Sequence, residues 1–193
     1  MDDERARRAF QEFLEALELP AGEVDAVASA GAVVSAYRDD LLRGYASDPR
    51  DFLKVELESA AGELVMLRDV PFVSLCAHHM VPFHGVAHVG YLPLGQLTGL
   101  SSIARLVDGY ACRLQSQERL ARSIANALTE RLHARGAACR IEATQLCVEG
   151  RATRKPGIRA VSEFLTGAFH DEPAERARWN ALLGSAPQSR DQP

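Results

Sequence analysis

Cys76-Ala77-His78-His79 puts three side chains of metal-ligand type into four consecutive positions, and a further cysteine, Cys147, lies far downstream. A Cys-x-x-His spacing lets two side chains from one short loop converge on a single ion, with the remaining ligand supplied from elsewhere in the fold. Only one of the two adjacent histidines easily shares an ion with Cys76. With Cys147 that makes three protein ligands, the number found in catalytic zinc sites, which keep a fourth position for water; structural sites use four. The remaining imidazole then sits beside that water, where a group titrating near neutrality suits proton transfer. Zinc lowers the pKa of bound water enough to supply a nucleophile, so the constellation reads as metal-assisted hydrolysis. Taken alone, Cys147 also reads as a small buried residue, the usual fate of a free cysteine.

The elements that position these groups follow from periodicity. Asp3 to Leu19 carries Ala6, Phe10, Phe13, Leu14 and Leu17 at helical spacing, with Pro20 as a stop. A second helix is predicted from about Val24 to Arg43, with Val27, Val34, Tyr37, Leu41 and Leu42 inward and Gly44 at its end. The period then changes. Glu63 to Val70 and Gly85 to Leu92 are β-forming runs joined through the Cys-His cluster. Two helices, about Ser102 to Cys112 and Ser116 to Arg135, come next, the second with Gly136 as a cap. Strands over Ala138 to Val148 and Ile158 to Leu165 and a helix over Pro173 to Leu183 complete the pattern. The core order is ββααββ behind N-terminal helices. One domain spans 1–183, with N-terminal helices in 1–44, the core over 63–165 and a terminal helix in 172–183, and 184–193 forms a flexible tail rich in Ser, Pro and Gln.

Lys+Arg is 22 against Asp+Glu 26, a net charge of −4 that gives no general attraction to nucleic acid or membrane. Lysine occurs only at Lys54 and Lys155, so cationic work falls to arginine. Met1 to Arg8 is charged rather than apolar, no stretch has the length to cross a bilayer, and four cysteines fit free thiols in a reducing cytoplasm better than a disulfide framework.

Leu67-Arg68-Asp69-Val70-Pro71-Phe72, Ser74-Leu75-Cys76-Ala77-His78-His79, Pro82-Phe83, Gly85, Ala87-His88-Val89 and Tyr91-Leu92-Pro93 together resemble the signature of the GTP cyclohydrolase I family. Gly99-Leu100-Ser101, Arg105, Gln117-Glu118-Arg119-Leu120 and Arg151 extend the resemblance over roughly Tyr37 to Leu183. It implies an α+β tunnelling fold, an antiparallel sheet with helices on one face, and a Zn2+ held by Cys76, His79 and Cys147, with His78 as the acid–base group. It also implies a guanine nucleotide as substrate, opened at C8 with formate released and a pterin ring formed, and a homo-oligomeric ring, commonly a decamer. Glu118 is suited to accept two hydrogen bonds from guanine N1–H and its 2-amino group, a fork adenine cannot offer. With Gln117 it is assigned to the substrate. Ser101 opens a helix, a position that suits an N-cap or a phosphate, and Arg105 and Arg151 are further phosphate candidates.

The departures from the family pattern are specific. The histidine two residues before the second cysteine ligand is here Gln145, which shares a strand face with Cys147 by period. An amide donates and accepts hydrogen bonds but does not carry a proton at neutral pH. The family's lysine after the serine is Ser102, an arginine of the second helix aligns with Ala32, the glutamate of the cluster is Ala77, and an Arg-Gly pair reads Arg151-Ala152. The pattern points to a zinc hydrolase that attacks guanine C8 and stops at a ring-opened formamidopyrimidine, or uses a substrate with fewer phosphates. The competing readings are an ordinary GTP cyclohydrolase I, a silent nucleotide-binding or ring-forming paralogue, and a nitrile-reducing relative of the same fold.

Overall fold

In a computed structural model, residues 2–20, 22–55, 57–58, 63–151 and 154–184 are described. The tail expected over 184–193 therefore falls outside them beyond Gly184, as does Ala152.

Two capped helices open the chain. In α1 (Asp3–Glu15) the Asp2 carboxylate accepts the Arg5 N–H, and in α2 (Ala26–Ala36) Asp25 accepts from Val27 and Ala28. Such side chains satisfy amides that have no partner inside the helix. Both helices are shorter than periodicity suggests. α1 stops before Leu17, and α2 gives way to a π-turn over Tyr37–Leu41, then to 3-10 turns at Arg43–Tyr45 and Pro49–Phe52. Val27, predicted inward, is 68% exposed, whereas Ala30 and Val34 are buried.

The remaining elements are β1 (Leu57–Glu58), β2 (Val65–Cys76), β3 (Pro82–Leu92), β4 (Gln96–Leu97), α3 (Leu100–Ala111), β5 (Leu114–Gln115) and α4 (Gln117–Leu132). They continue as β6 (Gly136–Gln145), α5 (Leu146–Glu149), β7 (Arg159–Leu165), α6 (Ala168–Asp171) and α7 (Pro173–Gly184). Strands β5-β2-β3-β6-β7 form one sheet, antiparallel except for the short parallel pairing of β5 with β2, while β1 and β4 pair separately. The ββααββ order is thus present, with β5 added as an edge that periodicity does not reveal.

Alternation along the strands sorts the two faces. Ala87, Val89 and Tyr91 of β3 and Ala137, Cys139 and Ile141 of β6 pack with Leu106 of α3 and Leu120, Ile124 and Leu128 of α4 in the main core. The opposite face of the same strands presents Leu92 and Ala138 to Phe169 and Trp179, so α6 and α7 cover part of the second face. Gly90 makes room there, since a Cβ on it would lie 2.7 Å from the Trp179 ring.

Two turn assignments change. His133, not Gly136, takes the left-handed conformation that ends α4. Gly136 instead opens β6 in close backbone contact, where a Cβ would lie 2.7 Å from the Thr166 carbonyl oxygen. A register shift between Leu67 and Val70 marks a bulge, with Asp69 at φ 56°. There the Asp69 N–H donates to His88 Nδ1 at 3.3 Å.

Candidate active site

The functional groups gather at one end of the sheet, where β2 and β6 finish, β3 begins, and the β5–α4 junction arrives alongside. Cys76 is the last residue of β2. Its carbonyl accepts from the amides of His79 (3.3 Å) and Met80 (2.8 Å), and its amide donates to the Val81 carbonyl (3.0 Å). Met80 turns the chain with φ 54°. The tight loop leaves Cys76 buried and His78 and His79 exposed. Two outside contacts brace it. The Ala77 amide donates to the Gln115 carbonyl at 2.8 Å, and Tyr37, in the π-turn after α2, donates its hydroxyl to the Met80 carbonyl at 3.4 Å.

Cys76 Sγ lies 3.8 Å from Nδ1 of both His78 and His79, so this distance does not separate the two imidazoles. Cys147 does: ligand atoms of Cys76, His79 and Cys147 all lie within 4.8 Å of one another, and His78 is outside that group. Zinc bonds of roughly 2.3 Å to sulfur and 2.0–2.1 Å to nitrogen put neighbouring tetrahedral ligand atoms about 3.5–3.8 Å apart. The three donors fit that geometry with about an ångström of closure, and two thiols with one imidazole is a zinc-type donor set.

Cys147 reaches the cluster differently from the sequence expectation. The strand ends at Gln145, and Cys147 sits in the single helical turn α5. The shared strand face with Gln145 therefore does not exist, yet the two still meet, with Cys147 Sγ 4.0 Å from Gln145 Oε1. Burial first, then the neighbouring Cys76, pushes the Cys147 thiol up, while the Arg151 guanidinium pulls the other way.

Gln145, opposite Phe83 in the β3–β6 register, donates through Nε2 to Gln117 Oε1 at 2.7 Å. Gln117 is 4% exposed and its amide nitrogen donates to the carbonyls of Ile141 (3.1 Å) and Ala160 (3.0 Å). Its side chain thus bonds within the protein at both ends of its amide. Glu118, one residue on, is exposed in the first turn of α4, where the helix dipole favours its charge.

The phosphate candidates fall in two places along the chain. Ser101 and Arg105 are exposed on α3, and Arg105 lines a cavity of about 380 Å3 with Arg43, Ser47 and Asp108. The N-cap of α3 is Gly99, without a side-chain hydrogen bond, so Ser101 lies inside the first turn and does not cap. Ser102 is buried. Arg151 is exposed beyond α5.

Gln115 was not singled out by sequence. It pairs with Cys76 across β5–β2, is buried, donates to the Tyr110 carbonyl at 2.9 Å, and accepts from Arg119 Nε at 2.7 Å. A polar residue just before a helix N-cap was its only signal.

Comparison with known proteins adds an independent line. The family model described as GTP cyclohydrolase I matches residues 6–184. GTP cyclohydrolase 1 of Mycobacterium tuberculosis is 43% identical over 178 residues, covering 91% of this chain and 88% of that protein. GTP cyclohydrolase 1 of Dehalococcoides mccartyi is 42% identical over 146 residues, 75% of this chain and 77% of the relative. A solved archaeosine synthase QueF-Like in the apo form aligns at 17% identity and TM-score 0.47, over 56% of this chain and 97% of that one.

Proposed function

The chain belongs to the GTP cyclohydrolase I family, and from that premise we propose that it is a zinc-dependent hydrolase that opens the imidazole ring of a guanine nucleotide at C8. The observation that carries this reading is the convergence of Cys76, His79 and Cys147 with His78 left outside the donor group. When bound, Zn2+ supplies Lewis acidity and lowers the pKa of a water.

The chain's own residues account for the rest. Water adds across the C8–N7 double bond, with His78 taking a proton from the water and passing it to N7. His78 then takes the C8 hydroxyl proton and delivers it to N9 as the C8–N9 bond breaks, and the product is a formamide heavier than the substrate by one water. Glu118 holds the guanine edge, and Arg105, Arg151 and Ser101 are the candidate phosphate contacts. Removing the formyl group needs a second water and further proton transfers. Gln145 stands where the family uses a histidine, and an amide holds a proton without passing it on. The reaction therefore ends at the formamidopyrimidine. A second reading, an ordinary GTP cyclohydrolase I that proceeds to formate and the pterin, is favoured by the 43% identity to the Mycobacterium tuberculosis enzyme. Exposed apolar side chains at Phe13 and Val27 support assembly into a homo-oligomer.

The test uses GTP labelled with carbon-13 at C8, followed by NMR with zinc-loaded and chelator-treated protein. The reading requires conversion of C8 to a formyl carbon only with metal present. An unchanged C8 signal in the zinc-loaded sample would reject it.

A further inference from the structure

We propose that Gln117 is a positioning residue that locks Gln145 with its carbonyl oxygen toward the Cys76–His79–Cys147 cluster, making position 145 a fixed hydrogen-bond acceptor. The orientation follows by elimination. Gln117 meets the main-chain carbonyls of Ile141 at 3.1 Å and Ala160 at 3.0 Å. Neither carbonyl can donate, so the end of Gln117 that faces them is its NH2 group. Its Oε1 must then face Gln145, 2.7 Å away. An oxygen in that place accepts only, so Gln145 presents its own NH2 there and turns Oε1 to the other side, where Cys147 Sγ lies at 4.0 Å.

The lock is rigid for two reasons. Gln117 is 4% exposed, which excludes water from competing for its amide. It also joins three elements at once: the first turn of α4, and the carbonyls of Ile141 on β6 and Ala160 on β7. Gln145 therefore cannot flip to offer a donor to the site without breaking its part-buried hydrogen bond to Gln117. Its oxygen can receive an N–H or O–H from a bound molecule, and it has no proton of its own to give.

This deepens the proposed activity and rests on it only for the consequence at the reaction centre. A histidine at position 145 would find the same Gln117 oxygen, which would hold one ring nitrogen protonated and leave the other as a base toward the cluster. Gln117 thus sets how whatever stands at 145 can act.

Two measurements test it. In the wild-type protein, NMR of side-chain amides should show the Gln145 NH2 protons exchanging with solvent at least about ten-fold more slowly than those of exposed glutamines, the scale of one net hydrogen bond. That result needs no variant to fold, and exchange at the exposed rate would overturn the lock. The second compares products from GTP for Gln145→His and for Gln145→His with Gln117→Met. The single variant should carry substrate past the ring-opened formamide, and Gln117→Met should cancel that gain about ten-fold while thermal unfolding confirms a folded protein. An equal gain in both would overturn the proposal. If no variant turns over guanine compounds, the hydrolase reading fails, and the amide exchange alone decides the lock.

Discussion

His78 and His79 are equidistant from Cys76, and their jobs are separated only by which of them Cys147 can join. That separation gives two contrasting predictions. Cys147→Ala should abolish tight zinc binding, read as metal content after dialysis. His78→Gln should keep the metal and slow turnover by about 10²–10⁴, the usual worth of one positioned acid–base group. Loss of zinc in His78→Gln would reverse the assignment. Glu118→Ala should weaken guanine-nucleotide binding by about 1.5–3 kcal/mol per lost charge-assisted hydrogen bond, measured by calorimetry, with the metal content unchanged. The Cys76-His78-His79 group was legible in the sequence because its spacing is local and its residue types are rare together, whereas the approach of Cys147 to it is a tertiary fact. The role of Gln117 was not legible, because burial and two carbonyl partners on separate strands are tertiary facts.

The elements explain why the cluster closes. β2 and β3 hold Cys76 and its loop, and β3–β6 pairing brings Gln145 opposite Phe83, which delivers Cys147 two residues on, inside the turn α5. Gly85 is the close-contact point of that pairing, since a Cβ there would collide with the Glu142 carbonyl oxygen and lie 2.7 Å from Ala143 Cα. Gly85→Ala should therefore lower the thermal midpoint and the zinc affinity together, because the strands it forces apart lead into the candidate ligands on both sides, His79 just before β3 and Cys147 just after β6. A lowered midpoint with unchanged zinc affinity would show that the site does not depend on this pairing. The strand–helix alternation was readable from periodicity, as were the stripes on α4. The turn α5 was not, because Ala138 to Val148 continues as a β-forming run and nothing local marks where the sheet stops pairing. Likewise β5 spans two residues and exists only through its pairing with β2.

For the whole molecule, the second sheet face carries its own consequence. His88 is buried beneath the Asp69 bulge and accepts the Asp69 amide, and burial lowers its pKa, with Asp69 and Glu142 opposing. A histidine kept neutral by folding binds fewer protons in the native state than in the unfolded chain. Its contribution to stability is therefore present above the unfolded pKa of about 6.5 and is lost as pH falls below it. Unfolding measured between pH 7.5 and 5 should show stability falling toward acid, and His88→Gln should flatten that slope; an unaltered slope would assign it to other groups. Among the described residues no helix is long and apolar enough to cross a membrane. The ββααββ frame was legible as a whole because each stretch repeats its own period. The cover that α6 and α7 give the second face was not, since their contacts with Leu92 and Ala138 join distant parts of the chain.

The central claim is that the metal cluster is complete for opening the ring and that Gln145 withholds the later proton transfers. Mass spectrometry of the products from GTP and the zinc-loaded wild-type chain tests it most directly. The account predicts accumulation of a triphosphate heavier than GTP by one water, with no formate released. Formate appearing in step with GTP consumption, together with dihydroneopterin triphosphate, would contradict it.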